Sequence, residues 1–167
     1  MALSVLANRL GVSFKSHKSN ASVAETRLGA GGPKIILAKP GSYMNTSGGP
    51  VTSLMKFFDV DTAHLVVLHD ELDIPAEDVR IKLGGGHGGH NGLRDIIAAA
   101  GSPEFARVRI GIGRPPGRMD TADFVLKDFS SAERKELPVT LEIAADAVEA
   151  IVNDGVLAAQ NKFNSAR

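Results

Sequence analysis

The feature that most constrains the fold is a glycine-rich segment, residues 84–92, which holds six glycines in nine positions. Alternating apolar and basic residues precede it at 79–83, and apolar residues at helical spacing follow it at 93–100. Glycine accepts positive φ angles and lets backbone N–H groups approach a ligand closely, at an entropic cost. The segment therefore predicts a strand, a ligand-binding loop and a helix in succession. A flexible surface loop is the alternative.

Known phosphate-binding and metal-binding patterns fit this segment poorly. Gly84, Gly86 and Gly89 satisfy G-x-G-x-x-G, but the chain has Arg107 and Arg109 where a dinucleotide site carries its acidic residue. A nucleotide-binding module is therefore the least favoured of the three functions considered for this chain. Four side chains could form a metal site, although imidazoles three residues apart in a glycine loop are poorly oriented to bind zinc. These four are His87, His90, Asp70 and Asp73. We expect no metal and no cofactor.

The rest of the chain alternates between strand and helix patterns. Residues 65–68 form a continuous apolar run, which is typical of an interior parallel strand covered on both faces. The other predicted strands are 34–39, 79–83 and 107–112, and the predicted helices begin at residue 1, near residue 51, near residue 93, at a capping box of Ser130 and Glu133, and after Pro138. We predict one α/β domain over residues 1–167, with a mixed, mostly parallel sheet flanked by helices.

Composition and charge exclude several classes of protein. The chain has 43% hydrophobic and 23% charged residues, as ordinary globular proteins do, and zero cysteines, which excludes a disulfide framework or a thiol nucleophile and suits the cytoplasm. No apolar run reaches the length of a membrane span, and we expect no membrane partner. The net charge is zero, yet residues 1–56 carry seven basic and one acidic side chain. Such segregation is typical of a basic face that meets a polyanion.

Four basic side chains alternate with apolar ones in two predicted strands. They are Arg80, Lys82, Arg107 and Arg109. They could form a phosphate-facing surface, and a solvated sheet face explains them equally well.

Polar residues also follow two predicted strands at the carboxyl end, where open α/β sheets place their sites. Asp70 is placed to orient a catalytic imidazole, whereas we favour a capping or turn role for Asp73. Tyr43 and Asn45 follow the strand at 34–39; each has a structural alternative, core packing for Tyr43 and capping for Asn45. The nucleophile motif G-x-S-x-G is absent, so hydrolysis would use an activated water.

Five strings together resemble the bacterial-type peptidyl-tRNA hydrolases. They are KPGSYMNTSG, VVLHDELDIP, RIKLGGGHGGHNGLRDII, FARVRIGIGRPPG and FVLKDF. The resemblance implies a monomeric, cytoplasmic α/β enzyme that needs no metal. Its substrate is peptidyl-tRNA, and it cleaves the ester between the peptide and the 3′ ribose of tRNA.

The resemblance also implies roles for individual residues. Asp70 resembles the aspartate that stabilises the catalytic histidine, and Asn45 and Asn91 resemble the asparagines that hold the peptidyl end and the water. Tyr43 is similar to the aromatic residue of the tRNA-end pocket. The remaining matches are His90 within the glycine loop, and Arg80, Lys82, Arg107 and Arg109 along the phosphate path.

One part of the family pattern does not occur in residues 1–167. Family members begin with a strand, a G-N-P-G loop and a T-R-H-N stretch that holds the catalytic histidine, and this chain contains neither motif. We therefore expect the first strand and the histidine segment to be missing from an N-terminally incomplete domain. The alternative function is a catalytically silent relative or fragment that binds tRNA ends.

Overall fold

The described residues fold into five α-helices and six strands, which confirms the α/β class. The computed structural model describes residues 2–18, 21–28, 32–41, 48–71, 74–75, 78–86, 91–111 and 131–164, without the side chains of 91 and 131–138. The helices are α1 Ala2–Leu10, α2 Gly48–Phe58, α3 Asn91–Ala100, α4 Ser131–Asp154 and α5 Val156–Asn164. The strands are β1 Lys15–His17, β2 Ala21–Arg27, β3 Lys34–Pro40, β4 Val66–Glu71, β5 Val79–Leu83 and β6 Ala106–Gly111, and a 3₁₀ turn covers Thr62–His64.

The strands form two three-stranded sheets within the described ranges, in the orders β1-β2-β3 and β4-β6-β5. β2 pairs antiparallel with both of its neighbours. Gly84 N–H donates to Phe105 at one end of β5 and β6, and Gly111 N–H donates to Asp78 at the other, so these two strands are also antiparallel. These three strand pairs are antiparallel, which differs from the prediction of a mostly parallel sheet.

Three strands differ from the sequence patterns. β1 and β2 were not predicted, because β1 (Lys-Ser-His) has no apolar residue and β2 buries Val23 and Ala24 in succession, without strict alternation. β4 lies at the edge of its described sheet, and its apolar residues 66–68 are only half-buried. The expectation of an interior strand covered on both faces is therefore wrong for the described sheet.

Helices α1 and α4 end where glycine permits a left-handed backbone. Gly11 follows α1 with φ 68° and Gly155 follows α4 with φ 90°, as C-terminal glycines commonly do. The prediction of a new helix after Pro138 is wrong, because α4 runs without interruption from Ser131 to Asp154. A proline removes one intrahelical N–H donor, and the hydrogen bonds on either side continue this helix past it.

Contacts divide the chain into two compact units, of which the first contains Leu3–Val67 and Lys82–Arg107. In this unit α2 packs against the sheet β1-β2-β3 through a cluster of Ala21, Val23 and Leu54, with Phe58 at its margin. One turn earlier, Val51 of α2 packs against α3 in a second cluster, built from Leu93, Ile96 and Phe105. α2 therefore joins the first sheet to the helix that follows the glycine-rich segment.

The second unit contains Leu68–Ile81 and Val108–Arg167. Its buried apolar residues come mainly from α4, where Ala144, Ala145 and Ala147 are fully buried. Gly111 of β6 lies so close to Pro75 that a Cβ at this position would be 2.1 Å from the carbonyl oxygen of Pro75. Only glycine fits this crossing.

Asn164, the last residue of α5, covers the backbone of β5. Its Nδ2 donates to the carbonyl of Ile81 at 2.9 Å, and the Ile81 N–H donates to its Oδ1 at 3.0 Å. β5 is an edge strand of the described sheet, so this amide satisfies two backbone groups that have no strand partner on that side. Ile81 itself is buried.

We expect Asn164→Ala to lower the free energy of unfolding by about 2 kcal/mol, since each lost hydrogen bond leaves a buried backbone group unsatisfied. Urea denaturation measures this loss. Asn153→Ala, at an exposed position of α4, is the matched control and should change stability by less than about 0.5 kcal/mol. Equal losses for the two variants would contradict the role of Asn164 at the strand edge.

Candidate functional site

Three neighbouring polar residues at the end of β4 point in different directions. His69 is buried, and its Nδ1 donates to the carbonyl of Asp70 at 2.8 Å. Asp70 exposes its side chain, whereas Glu71 is half-buried. The alternation of a strand produces this arrangement and, as expected, keeps His69 and Asp70 from forming a dyad. The carboxylate of Asp70 is accessible to an imidazole brought to it from elsewhere.

Glu71 forms an ion pair that sequence reasoning did not find. Arg109 Nη2 of β6 donates to Glu71 Oε1 at 2.7 Å, and the two side chains are 25% and 13% exposed. Thirty-eight residues separate them, so no local spacing signals the pair. Because this carboxylate balances its charge, Arg109 is less available to a phosphate than a solvated arginine is.

Arg107 is an anchor for the glycine-rich segment. Its side chain is 1% exposed, and the guanidinium donates to the carbonyls of Gly86 at 2.5 Å, Gly85 at 2.7 Å and Pro103 at 3.0 Å. The guanidinium carbon also lies 4.7 Å from the centroid of the Phe105 ring. The sequence patterns placed Arg107 on a basic sheet face with Arg109; the structure instead buries it, because backbone carbonyls replace water around its charge.

The first glycines of the segment are required by geometry. Gly84 and Gly85 have φ of 70° and 88°, which side-chain-bearing residues rarely adopt. A Cβ on Gly85 would lie 2.8 Å from Lys82 Nζ, and one on Gly84 would lie 2.8 Å from Glu104 Oε2. The absence of side chains therefore lets the ammonium of Lys82 lie directly against the glycine backbone.

The four basic residues predicted to contact phosphate thus have different environments. Arg107 is buried and Arg109 is paired with Glu71. Arg80 is 39% exposed and reaches Asp78 only at 3.5 Å, and Lys82 lies against Gly85. Lys82 and Arg80, whose ion pair with Asp78 is long, are therefore the two most available to a polyanionic ligand.

Several predicted site residues lie outside the described residues. These are Tyr43 and Asn45, the three residues Asp73, His87 and His90, the capping residue Ser130, and the side chain of Asn91. Asn91 is the first residue of α3. The Gly48 N–H donates to Asp95 Oδ2 of α3 at 2.6 Å, so α3 fixes the start of the helix that follows Tyr43 and Asn45.

The described part of the chain contains neither a group of metal ligands nor a membrane-spanning helix. Among the residues with described positions, no three His, Asp or Glu side chains group as ligands of one metal ion. In the same part of the chain no helix combines the length and the apolar character needed to cross a bilayer.

Comparison with known proteins links the chain to one family. A family model described as peptidyl-tRNA hydrolase matches residues 1–167. The chain is 60% identical over 166 residues to the peptidyl-tRNA hydrolase of Arthrobacter sp. (strain FB24), covering 99% of this chain and 86% of that protein. It is 57% identical to the peptidyl-tRNA hydrolase of Leifsonia xyli subsp. xyli, with the same two coverages.

Solved structures give the same result. The crystal structure of peptidyl-tRNA hydrolase from Acinetobacter baumannii matches with a TM-score of 0.88 and 34% identity, over 98% of this chain and 83% of that one. The expected absence of a first strand and of a histidine segment finds no support in the family match, which extends over residues 1–167.

Arg107→Lys separates an anchoring role from a phosphate-binding one, since lysine keeps the charge but cannot reach three carbonyls with one planar group. We expect a loss of about 2–3 kcal/mol in the free energy of unfolding and faster proteolysis within residues 84–92. The matched control is Arg109→Lys on the same strand, for which we expect a loss below about 1 kcal/mol because one bond to Glu71 can be remade. Equal stability of the two variants would argue against the anchor.

Proposed function

The chain belongs to the peptidyl-tRNA hydrolase family, and we propose that it hydrolyses the ester between the peptide and the 3′ ribose of tRNA. The observation that carries this proposal is the high identity to peptidyl-tRNA hydrolases over nearly the whole chain. The reaction returns a free tRNA and a released peptide, so the protein would recycle tRNA for translation.

Hydrolysis of the ester involves three events that the protein must assist. The oxygen of a water attacks the ester carbonyl carbon, a base takes the proton of that water, and the 3′ oxygen of ribose leaves with a proton. We propose that the exposed carboxylate of Asp70 accepts a hydrogen bond from one ring N–H of an imidazole. The other ring nitrogen of that imidazole then faces the water. The amides of Asn45 and Asn91 offer N–H donors for the carbonyl oxygen and an oxygen acceptor for the water.

The three described histidines already have structural partners. The ring of His17 packs against Phe57, and His69 donates to the Asp70 carbonyl. His64 Nδ1 donates to Asp61 Oδ1 at 2.6 Å, a bond that lowers the pKa of the Asp61 carboxyl below its ordinary value. We therefore propose that the imidazole oriented by Asp70 is none of these three.

We propose that Lys82 and Arg80 contact the phosphates of the tRNA. Their partial exposure supports this assignment. Arg107 supports the glycine backbone, and Arg109 contributes less because Glu71 balances its charge. We also propose that Tyr43 and His90, which lie outside the described residues, bind the substrate.

We further propose a cytoplasmic monomer that acts without metal or cofactor. The lack of cysteine suits a reducing compartment. Ester hydrolysis by an imidazole, a carboxylate and two amides needs no metal ion to generate the nucleophile.

The decisive measurement is release of peptide from peptidyl-tRNA by this chain and by its Asp70→Ala variant. We expect kcat to fall by about 10²-fold or more with little change in KM, because Asp70 acts on the base and not on substrate affinity. Asp154→Asn, at an exposed position at the end of α4, should retain full activity. Turnover that survives Asp70→Ala would contradict the role of the carboxylate. Salt-dependent tRNA binding without any release would favour the silent tRNA-end-binding alternative.

A second prediction concerns the basic residues. Lys82→Ala and Arg80→Ala should each weaken tRNA binding and reduce the slope of log K against log salt by about 0.7–0.9, the value for one lost phosphate contact. Arg109→Ala should reduce the slope by less than either. Binding titrations at several salt concentrations measure the slopes. Unchanged slopes for Lys82→Ala and Arg80→Ala would place the tRNA elsewhere on the protein.

A further inference from the structure

The last turn of α2 presents an aromatic side chain to solvent. Phe57 is 53% exposed, and its ring makes an edge contact with His17 at 4.7 Å and another with Phe58 at 4.8 Å between centroids. We name His17, Phe57 and Phe58 the aromatic cluster. Exposing much of a phenylalanine costs on the order of 1 kcal/mol of lost burial, and its neighbours hold the ring in a defined position.

Two lysines lie over the aromatic cluster. Lys18 Nζ is 4.9 Å from the centroid of the Phe57 ring, and Lys34 Nζ is 5.8 Å from that of Phe58. Lys34 also pairs with Glu25 at 3.3 Å. Glu25 is the single acidic residue in residues 1–56, which also hold seven basic residues. Asp59 follows Phe58 at the end of the helix. Glu25 balances Lys34, so the positive charge beside the exposed Phe57 ring comes from Lys18.

An exposed aromatic ring beside ammonium groups matches an unpaired nucleotide. A base can stack on the ring because every base has an apolar face, while the lysines meet the phosphates on either side. A double helix keeps its bases stacked on each other and offers only its phosphates to such a surface. We propose that the aromatic cluster, with Lys18 and Lys34, is a contact surface for unpaired nucleotides of RNA. None of its residues is assigned above to ester hydrolysis.

A second contact between a lysine and an aromatic ring, in α5, lies in acidic surroundings and serves as a comparison. In α5, Lys162 Nζ lies 5.9 Å from the centroid of the Phe163 ring, the same type of contact as Lys18 on Phe57. Around it lie three carboxylates, Asp146, Glu149 and Asp154, which line the same concave surface. These carboxylates repel a phosphate, so the surface of α5 should not bind RNA even though its ring and ammonium are similar.

The test uses a fluorescently labelled oligouridylate of about eight nucleotides, within the range of known single-strand sites, with binding followed by anisotropy. Phe57→Ala should weaken binding about 10-fold, the loss of one base stacked on a ring, and Lys18→Ala should weaken it and lower the salt dependence. Phe57→Tyr should restore binding, since tyrosine keeps a ring. Lys162→Ala and Leu157→Ala, the latter at a position 71% exposed, should bind as the unmodified chain does.

Two further comparisons test alternative explanations of oligonucleotide binding: binding at another position, and attraction by charge alone. Lys82→Ala tests whether the oligonucleotide binds at the basic residues of β5 instead; equal losses for it and for Phe57→Ala would overturn the proposal. Equal affinity for a duplex of the same length would also overturn it, because charge alone would then explain binding. The oligonucleotide carries no ester, so these outcomes are independent of hydrolysis, which is measured separately on peptidyl-tRNA.

Discussion

The burial of the Arg107 guanidinium is the interaction on which the geometry of residues 84–86, the start of the glycine-rich segment, depends. A buried charge is costly unless its hydrogen bonds are made, and here carbonyls of Gly85, Gly86 and Pro103 accept them. Glycines can turn their carbonyls towards one point because their φ angles are free. The arginine therefore fixes the carbonyls of Gly85 and Gly86 at the end of β5.

The end of β4 shows how one short strand gives three polar residues different tasks. Alternation buries His69, exposes Asp70 and turns Glu71 towards β6, where it meets Arg109. The ion pair and the His69 hydrogen bond fix the strand at the point where Asp70 leaves it. A carboxylate on a rigid strand keeps its direction, and it can orient an imidazole only under that condition.

The elements with strong local patterns were predictable from the sequence. α2 and α3 have apolar residues at helical spacing and glycines or a proline at their starts, and β5 and β6 alternate clearly; all four were confirmed. β1 and β2 were missed because their stability depends on tertiary partners: β1 pairs with β2, and β2 pairs with β3 and packs against Leu54. The burial of Arg107 and the pairing of Arg109 with Glu71 were also missed, since both depend on partners that are distant in sequence.

The cations of this chain therefore have two different roles, although the sequence shows them as one pattern. Arg107 and Arg109 are satisfied by carbonyls and a carboxylate, and they hold backbone in place. Lys82 and Lys18 lie beside a glycine backbone and an aromatic ring, neither of which neutralises an ammonium. A polyanion gains free energy only from charges that the protein leaves unbalanced. The partners of each cation, rather than the net charge of zero, determine where RNA can bind.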